Sequence, residues 1–196
     1  LGKKLLILVS KSGKKRVEEK INKAVEGTDT TVVWEIFNGE CSKSEVNRIG
    51  ENLKKEKCDV VVGIGGGKIL DTAKAVAYYE DIAVVCVPTA ASTDAPCSAL
   101  SVLYTDDGQF DEYLWLPANP DIILLDTDII VAAPVRLIVS GMGDALATYF
   151  ETRACMRSNT TSCMGGSVSK TAMALSELCF KTLMEDGAKA LLAVNA

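Results

Sequence analysis

The sequence predicts an α/β fold: an open, mainly parallel sheet that carries a β-hairpin and is followed by the start of an all-helical domain. Three patterns lead to this. Apolar or β-branched runs alternate four times with helical spacing up to Pro88. Two β-prone segments then flank Thr105-Asp106-Asp107-Gly108. Beyond about residue 133 only helical spacing remains, so domains are expected at 1–133 and 134–196.

The elements follow in order. Residues 5–9 are a short apolar run, expected as a buried parallel strand. Val17, Ile21, Ala24 and Val25 recur at helical spacing. Residues 30–37 are β-branched and aromatic, hence strand. Ser42 or Ser44 can cap a helix running to about Lys57, with Val46, Ile49 and Leu53 on one face. Residues 58–64 form an apolar strand that ends in glycines, 69–79 a helix, and 82–87 a strand stopped by Pro88. Segments 98–104 and 109–115 read as a hairpin, with Gly108 at a positive φ. Residues 120–125 are a further strand, and Pro134 is expected in the first turn of the next helix.

Composition narrows the function classes. The 196 residues are 48% hydrophobic and 24% charged, enough for one large domain or one domain and part of another. The net charge of −5, with scattered Lys and Arg, argues against a nucleic-acid partner. The basic run at 11–16 reads as a solvated helix start. No stretch approaches the ~20 apolar residues of a membrane span. No signal-peptide layout is present, and a cytoplasmic location is expected. Seven cysteines, an odd count without Cys-x-x-Cys, argue against a disulfide framework or zinc ribbon and fit a reducing compartment. Most are expected to be small buried hydrophobes. The chain starts at Leu1 rather than Met, and 190–196 show no helix stop, so both ends are expected to be cuts through a larger protein.

Val60 to Lys68 runs from strand through Gly65-Gly66-Gly67 into a helix. Glycines admit close backbone approach, and a helix N-terminus offers free N–H groups and a positive dipole end, so a pyrophosphate fits there. The Walker pattern fails at Val62 and Ile69, and G-x-G-x-x-G fails at Lys68. The case therefore rests on the Rossmann-like strand–glycine–helix context. A tight turn that only packs helix on strand is the competing reading. Asp71 and Lys74 read by themselves as an i,i+3 surface pair.

Beyond Pro88, Thr89, Ser92 and Thr93 supply short hydroxyl donors where ligand loops of such sheets lie. Capping and turn chemistry explains such residues equally well. Further on, Asp144 stands among small and apolar neighbours in Gly141-Met142-Gly143-Asp144-Ala145-Leu146-Ala147. Its helix is expected to be buried, and a buried carboxylate needs a partner, a proton or a metal.

Jointly, the motifs at 65–74, 88–104 and 141–151 resemble the glycerol dehydrogenase branch of the iron-containing alcohol dehydrogenases. The resemblance runs from about Val60 to the C-terminus. It implies NAD contacts at Gly66, Gly67, Lys68, Asp71, Thr89, Ser92, Ser98, Leu100 and Tyr104. It implies that Asp94 hydrogen-bonds the hydroxyls of glycerol or a similar small polyol, and that Asp144 binds a divalent metal, usually zinc. The family reaction is oxidation of glycerol to dihydroxyacetone, and a homo-oligomer is expected. Ser10 stands where the family usually has an aspartate for the adenosine ribose, which leaves NAD against NADP open. Two histidines complete the family's metal site, and this chain has none. The other readings are a noncatalytic dinucleotide-binding or subunit-interaction fragment, and a related polyol or sugar-phosphate enzyme. Asp94 argues against an anionic substrate, because carboxylate and phosphate repel.

Overall fold

The computed structural model describes residues 1–163 and 165–195. The chain divides into two compact units: Leu1–Thr89 with Ala95–Ile130, and Ala90–Asp94 with Val131–Ala196.

The first unit is an α/β layer structure. Its elements are β1 (Lys4–Val9), α1 (Lys11–Val25), β2 (Thr31–Ile36), α2 (Lys43–Glu56), β3 (Val60–Gly65), α3 (Gly67–Glu80) and β4 (Ala83–Pro88). The hairpin β5 (Leu100–Tyr104) and β6 (Phe110–Trp115) follows, then β7 (Ile122–Ile123) and α4 (Thr127–Val131). Five strands form one sheet in the order β2-β1-β3-β4-β7, every pair parallel. Successive strand residues face opposite ways. In β1, Leu6 and Leu8 therefore join the core under α2, α3 and the hairpin, whereas Ile7 and Val9 join the one under α1. Burial on both faces is why the parallel strands read as continuous apolar runs.

The caps are local. Ser10 Oγ accepts from Gly13 N–H at 3.0 Å to start α1, and Ser42 Oγ accepts from Glu45 N–H at 3.4 Å to start α2. The hairpin turn places Gly108 at φ +83°, as its sequence requires.

Two elements differ from expectation. The strand expected over 120–125 shrinks to Ile122–Ile123. Pro120 has no N–H to give a ladder, and the Asp121 carboxylate accepts Val84 N–H at 2.9 Å in place of a strand partner. Helix α4 was not expected. Asp126 organises it, its carboxylate taking Asp128 N–H at 3.1 Å and its carbonyl Ile130 N–H at 3.1 Å.

The second unit is built on α5 (Val135–Ser158) and α6 (Lys170–Asn195). Pro134 is the N-cap of α5, at φ −53° and ψ 131°, one residue ahead of the expected first turn. The helices meet through Phe180, which stacks on Tyr149 at 4.7 Å and meets Phe150 edge-on at 5.9 Å. The expectation of a buried helix around Asp144 does not hold: no residue of α5 is buried, and Asp144 is partly exposed. One helix partner covers one stripe of α5, and the rest of its surface remains open.

Cys41, Cys58, Cys86, Cys155, Cys163 and Cys179 are free thiols. Only Cys41, Cys58 and Cys86 are buried; Cys97 and Cys163 are exposed, so the expectation that most are core residues fails. The buried three belong to the sheet unit's core, while Cys155 and Cys179 ride on the open helices. Burial pushes the Cys41 thiol up to about 12 and the Cys86 thiol up to about 11. Among the described residues no helix is long and apolar enough to cross a membrane.

Candidate functional site

In the first unit the sheet order reverses between β1 and β3, and a ligand of such a sheet lies beyond the strand ends at that reversal. There β3 gives way to α3. The glycines divide their work. A Cβ on Gly63 would stand 2.7 Å from the Ala73 Cβ, and one on Gly65 would stand 2.6 Å from the Ile69 Cδ1. These two let α3 lie close on β3. Gly66 is different: a Cβ there meets nothing within 4 Å. Gly66 is the N-cap of α3 and supplies no side-chain cap. It is exposed, with Gly67 half-buried and Lys68 exposed behind it. Helix packing accounts for Gly63 and Gly65 but does not require Gly66.

Two other predicted residues, Thr89 and Tyr104, border this turn. Thr89 N–H donates to Gly65 O at 3.1 Å and ties the end of β4 to the end of β3. The Lys68 ammonium lies 5.5 Å from the centre of the Tyr104 ring. It also pairs with Glu40 at 2.6 Å, a partner that sequence reasoning missed. Glu40 lies 28 residues away in the chain, and only the fold brings it there. Ser10, after β1, is occupied as a helix cap.

Asp71, Ser98 and Leu100 gather around Lys74, a residue whose spacing predicts a surface position. Lys74 is 1% exposed. Its ammonium pairs with Asp71 Oδ1 at 2.9 Å. It donates to Ala95 O at 2.9 Å, Ser98 Oγ at 3.1 Å, Ser98 O at 3.3 Å and Leu100 O. The other Asp71 oxygen accepts Val102 N–H at 3.2 Å, and Asp71 O accepts from Ser101 Oγ at 2.9 Å. The expected i,i+3 pair exists, but it is buried rather than on the surface. Its signal in the sequence was the apolar surround of α3: helix residues 69–77 are all buried.

In the second unit, segment 90–94 lies against α5. Gly141 permits this, since a Cβ there would stand 2.1 Å from Ala91 O. Ser140 Oγ donates to Ser92 O at 3.2 Å. Asp94 N–H donates to Asp144 Oδ2 at 2.8 Å. The two aspartates assigned to substrate and metal are thus neighbours, joined through the backbone of one and the carboxylate of the other. As a metal centre the donor set does not fit. Catalytic zinc takes about three protein ligands. Among the described residues no group of three His, Cys, Asp or Glu could hold an ion, and the sequence has no histidine.

The profile of the iron-containing alcohol dehydrogenase family matches residues 1–127. The chain belongs to that family. A glycerol dehydrogenase of Escherichia coli O6:H1 is 53% identical over 169 residues, 85% of this chain and 46% of its own length. The crystal structure of a probable glycerol dehydrogenase from Sinorhizobium meliloti superposes with a TM-score of 0.90 at 40% identity, over 100% of this chain and 53% of that one. Glycerol dehydrogenase from Schizosaccharomyces pombe gives a TM-score of 0.89 at 38% identity, over 98% of this chain and 48% of that one. The chain spans about half the length of the relatives it matches.

Proposed function

We propose that residues 1–133 are the NAD-binding part, and 134–196 the opening of the metal and substrate domain, of an enzyme that oxidises glycerol to dihydroxyacetone. The single observation that carries the dinucleotide reading is Gly66. It is an uncapped helix start with open space above its Cα, at the reversal of a parallel sheet. The similarity to glycerol dehydrogenases supports the choice of polyol. In this reading Gly66, Gly67 and Lys68 take the pyrophosphate. Thr89, Ser92, Ser98, Leu100, Tyr104 and Asp71 line or support the rest of the cofactor. Asp94 accepts from the polyol hydroxyls. Held there, NAD would supply the acceptor for the hydride of the secondary carbinol carbon, with the hydroxyl proton leaving to solvent. Asp144 is proposed as one ligand of a divalent ion, zinc; no step is assigned to that ion, because one carboxylate does not make its site. The same reading has the enzyme acting in the cytoplasm as a homo-oligomer.

A second reading has support of its own. It takes the chain by itself as a noncatalytic dinucleotide-binding piece of such an enzyme, since the sequence has no histidine and no group of three metal-ligating side chains occurs among the described residues. NADH binding and glycerol-dependent NADH formation, each with and without added zinc, separate the two. Binding without turnover selects the second reading, and turnover selects the first. Gly66→Val tests the cradle shared by both. It changes stability by about 1 kcal/mol as a poorer cap, yet abolishes NADH binding. Unaltered NADH affinity in that variant would remove the cradle. Asp94→Ala is expected to raise the KM for glycerol with NADH affinity unchanged, and an equal loss of both would reassign Asp94.

A further inference from the structure

A lysine is almost never fully buried unless its charge is matched. Lys74 is matched by Asp71, but the pair alone does not account for what surrounds it. An ammonium has three donors, and here five oxygens lie within reach. Three of them are backbone carbonyls from one short stretch, at Ala95, Ser98 and Leu100. Carbonyl oxygens repel when they converge on one point. That arrangement of residues 95–100 therefore needs a cation at its focus. Lys74 supplies it from α3, the helix whose N-cap is Gly66.

We propose that Lys74 is a positioning residue for the dinucleotide: it gathers the carbonyls of Ala95, Ser98 and Leu100 and so sets the loop that carries Ser98 and Leu100 and leads to Tyr104. The inference rests on the NAD reading above. It assigns the side chain to the loop's conformation and not to the cofactor, because Lys74 is closed off from solvent. Asp71 is the counterpart that holds the lysine in place, and its Val102 contact joins the middle of β5 to the same centre.

Three variants test this. Lys74→Met removes the charge and keeps most of the volume. Asp71→Asn with Lys74→Met removes the buried carboxylate charge that has lost its counter-ion, and so guards against simple misfolding. Lys74→Arg keeps the charge and the ion pair, but a flat guanidinium cannot collect three carbonyls at one point. NADH affinity and amide exchange are read well below the unfolding temperature of every variant. The expected result is at least tenfold weaker NADH binding in all three, with at least tenfold faster exchange across 95–104. Exchange in β3 of the double variant stays as in the wild type. A residue that merely stabilised the fold would speed exchange everywhere and leave the affinity of the folded fraction unchanged, and that outcome overturns the proposal. Exchange over 95–104 unaltered in Lys74→Met overturns the loop clamp itself. Absence of NADH binding by the wild-type chain overturns the dinucleotide reading instead, so the two failures are told apart.

Discussion

In the sheet unit Leu6, Leu8, Ile49, Val61 and Leu103 are fully withdrawn from water, whereas in the helical unit α5 buries no residue and only Ser176 of the described α6 residues is buried. Both stretches are rich in apolar residues. A parallel strand between two helical layers buries both of its faces, while a helix with a single helical partner buries one stripe. Val139, Phe150 and Leu178 are accordingly 48%, 42% and 60% exposed. The difference also governs the polar groups. The sheet unit can hold a lysine in its interior because Asp71 of α3 and residues 95–100 surround it with oxygens. The helical unit leaves Asp144 partly open, with the Asp94 amide as its partner.

This contrast can be broken or sharpened by substitution. Ile49→Ala leaves a cavity in the larger core and is expected to cost about 2–5 kcal/mol in denaturant unfolding. A loss below about 1 kcal/mol would mean that α2 adjusts and that the core is looser than its burial implies. Gly63→Ala drives a methyl into Ala73 across the α3–β3 contact, with an expected cost of about 1–3 kcal/mol. A neutral result would show that α3 can step back.

Acid acts through Glu45, which is 5% exposed. Burial pushes its carboxyl up, but hydrogen bonds from Arg48 and from the backbone and side chain of Asn38 outweigh burial and leave it below the usual range. The sign follows from linkage. The stabilisation is fully present above the unfolded pKa of about 4.3 and is lost as pH falls through the depressed folded value. The unfolding temperature of Glu45→Gln is therefore expected to be lower than wild type at pH 7 and to approach it below about pH 4. A constant gap between the two would show that hydrogen bonding, not charge, is what Glu45 supplies. The smallest effect is expected for Leu178→Ala, within about 0.5 kcal/mol, since its side chain is already in water. A cost near that of Ile49→Ala would mean that the exposed helix face is covered in solution.

Much of the sheet unit is legible from local pattern. Residues 5–9, 58–64 and 82–87 lie within a residue or two of strands β1, β3 and β4, and the Thr105–Gly108 turn places the hairpin. The candidate site divides differently. Gly65-Gly66-Gly67 stands out in the sequence, yet which glycine packs and which stays open depends on the position of Ala73 and Ile69 in the folded helix. Asp71 and Lys74 show their spacing but not their burial, because the carbonyls that hold Lys74 come from 21 to 26 residues further along the chain.

The sequence by itself determined the alternation of strands and helices, a serine cap at Ser42 or Ser44, the hairpin turn and the glycine-rich helix start. These depend on backbone preference and side-chain period, which act over a few residues. Only the tertiary structure decided that β1 lies between β2 and β3, that Lys68 meets Glu40 and Tyr104, that Lys74 is closed in and that Asp144 is not. Those outcomes depend on burial and on electrostatic partners delivered from distant parts of the chain, and a local pattern does not record what will pack against it.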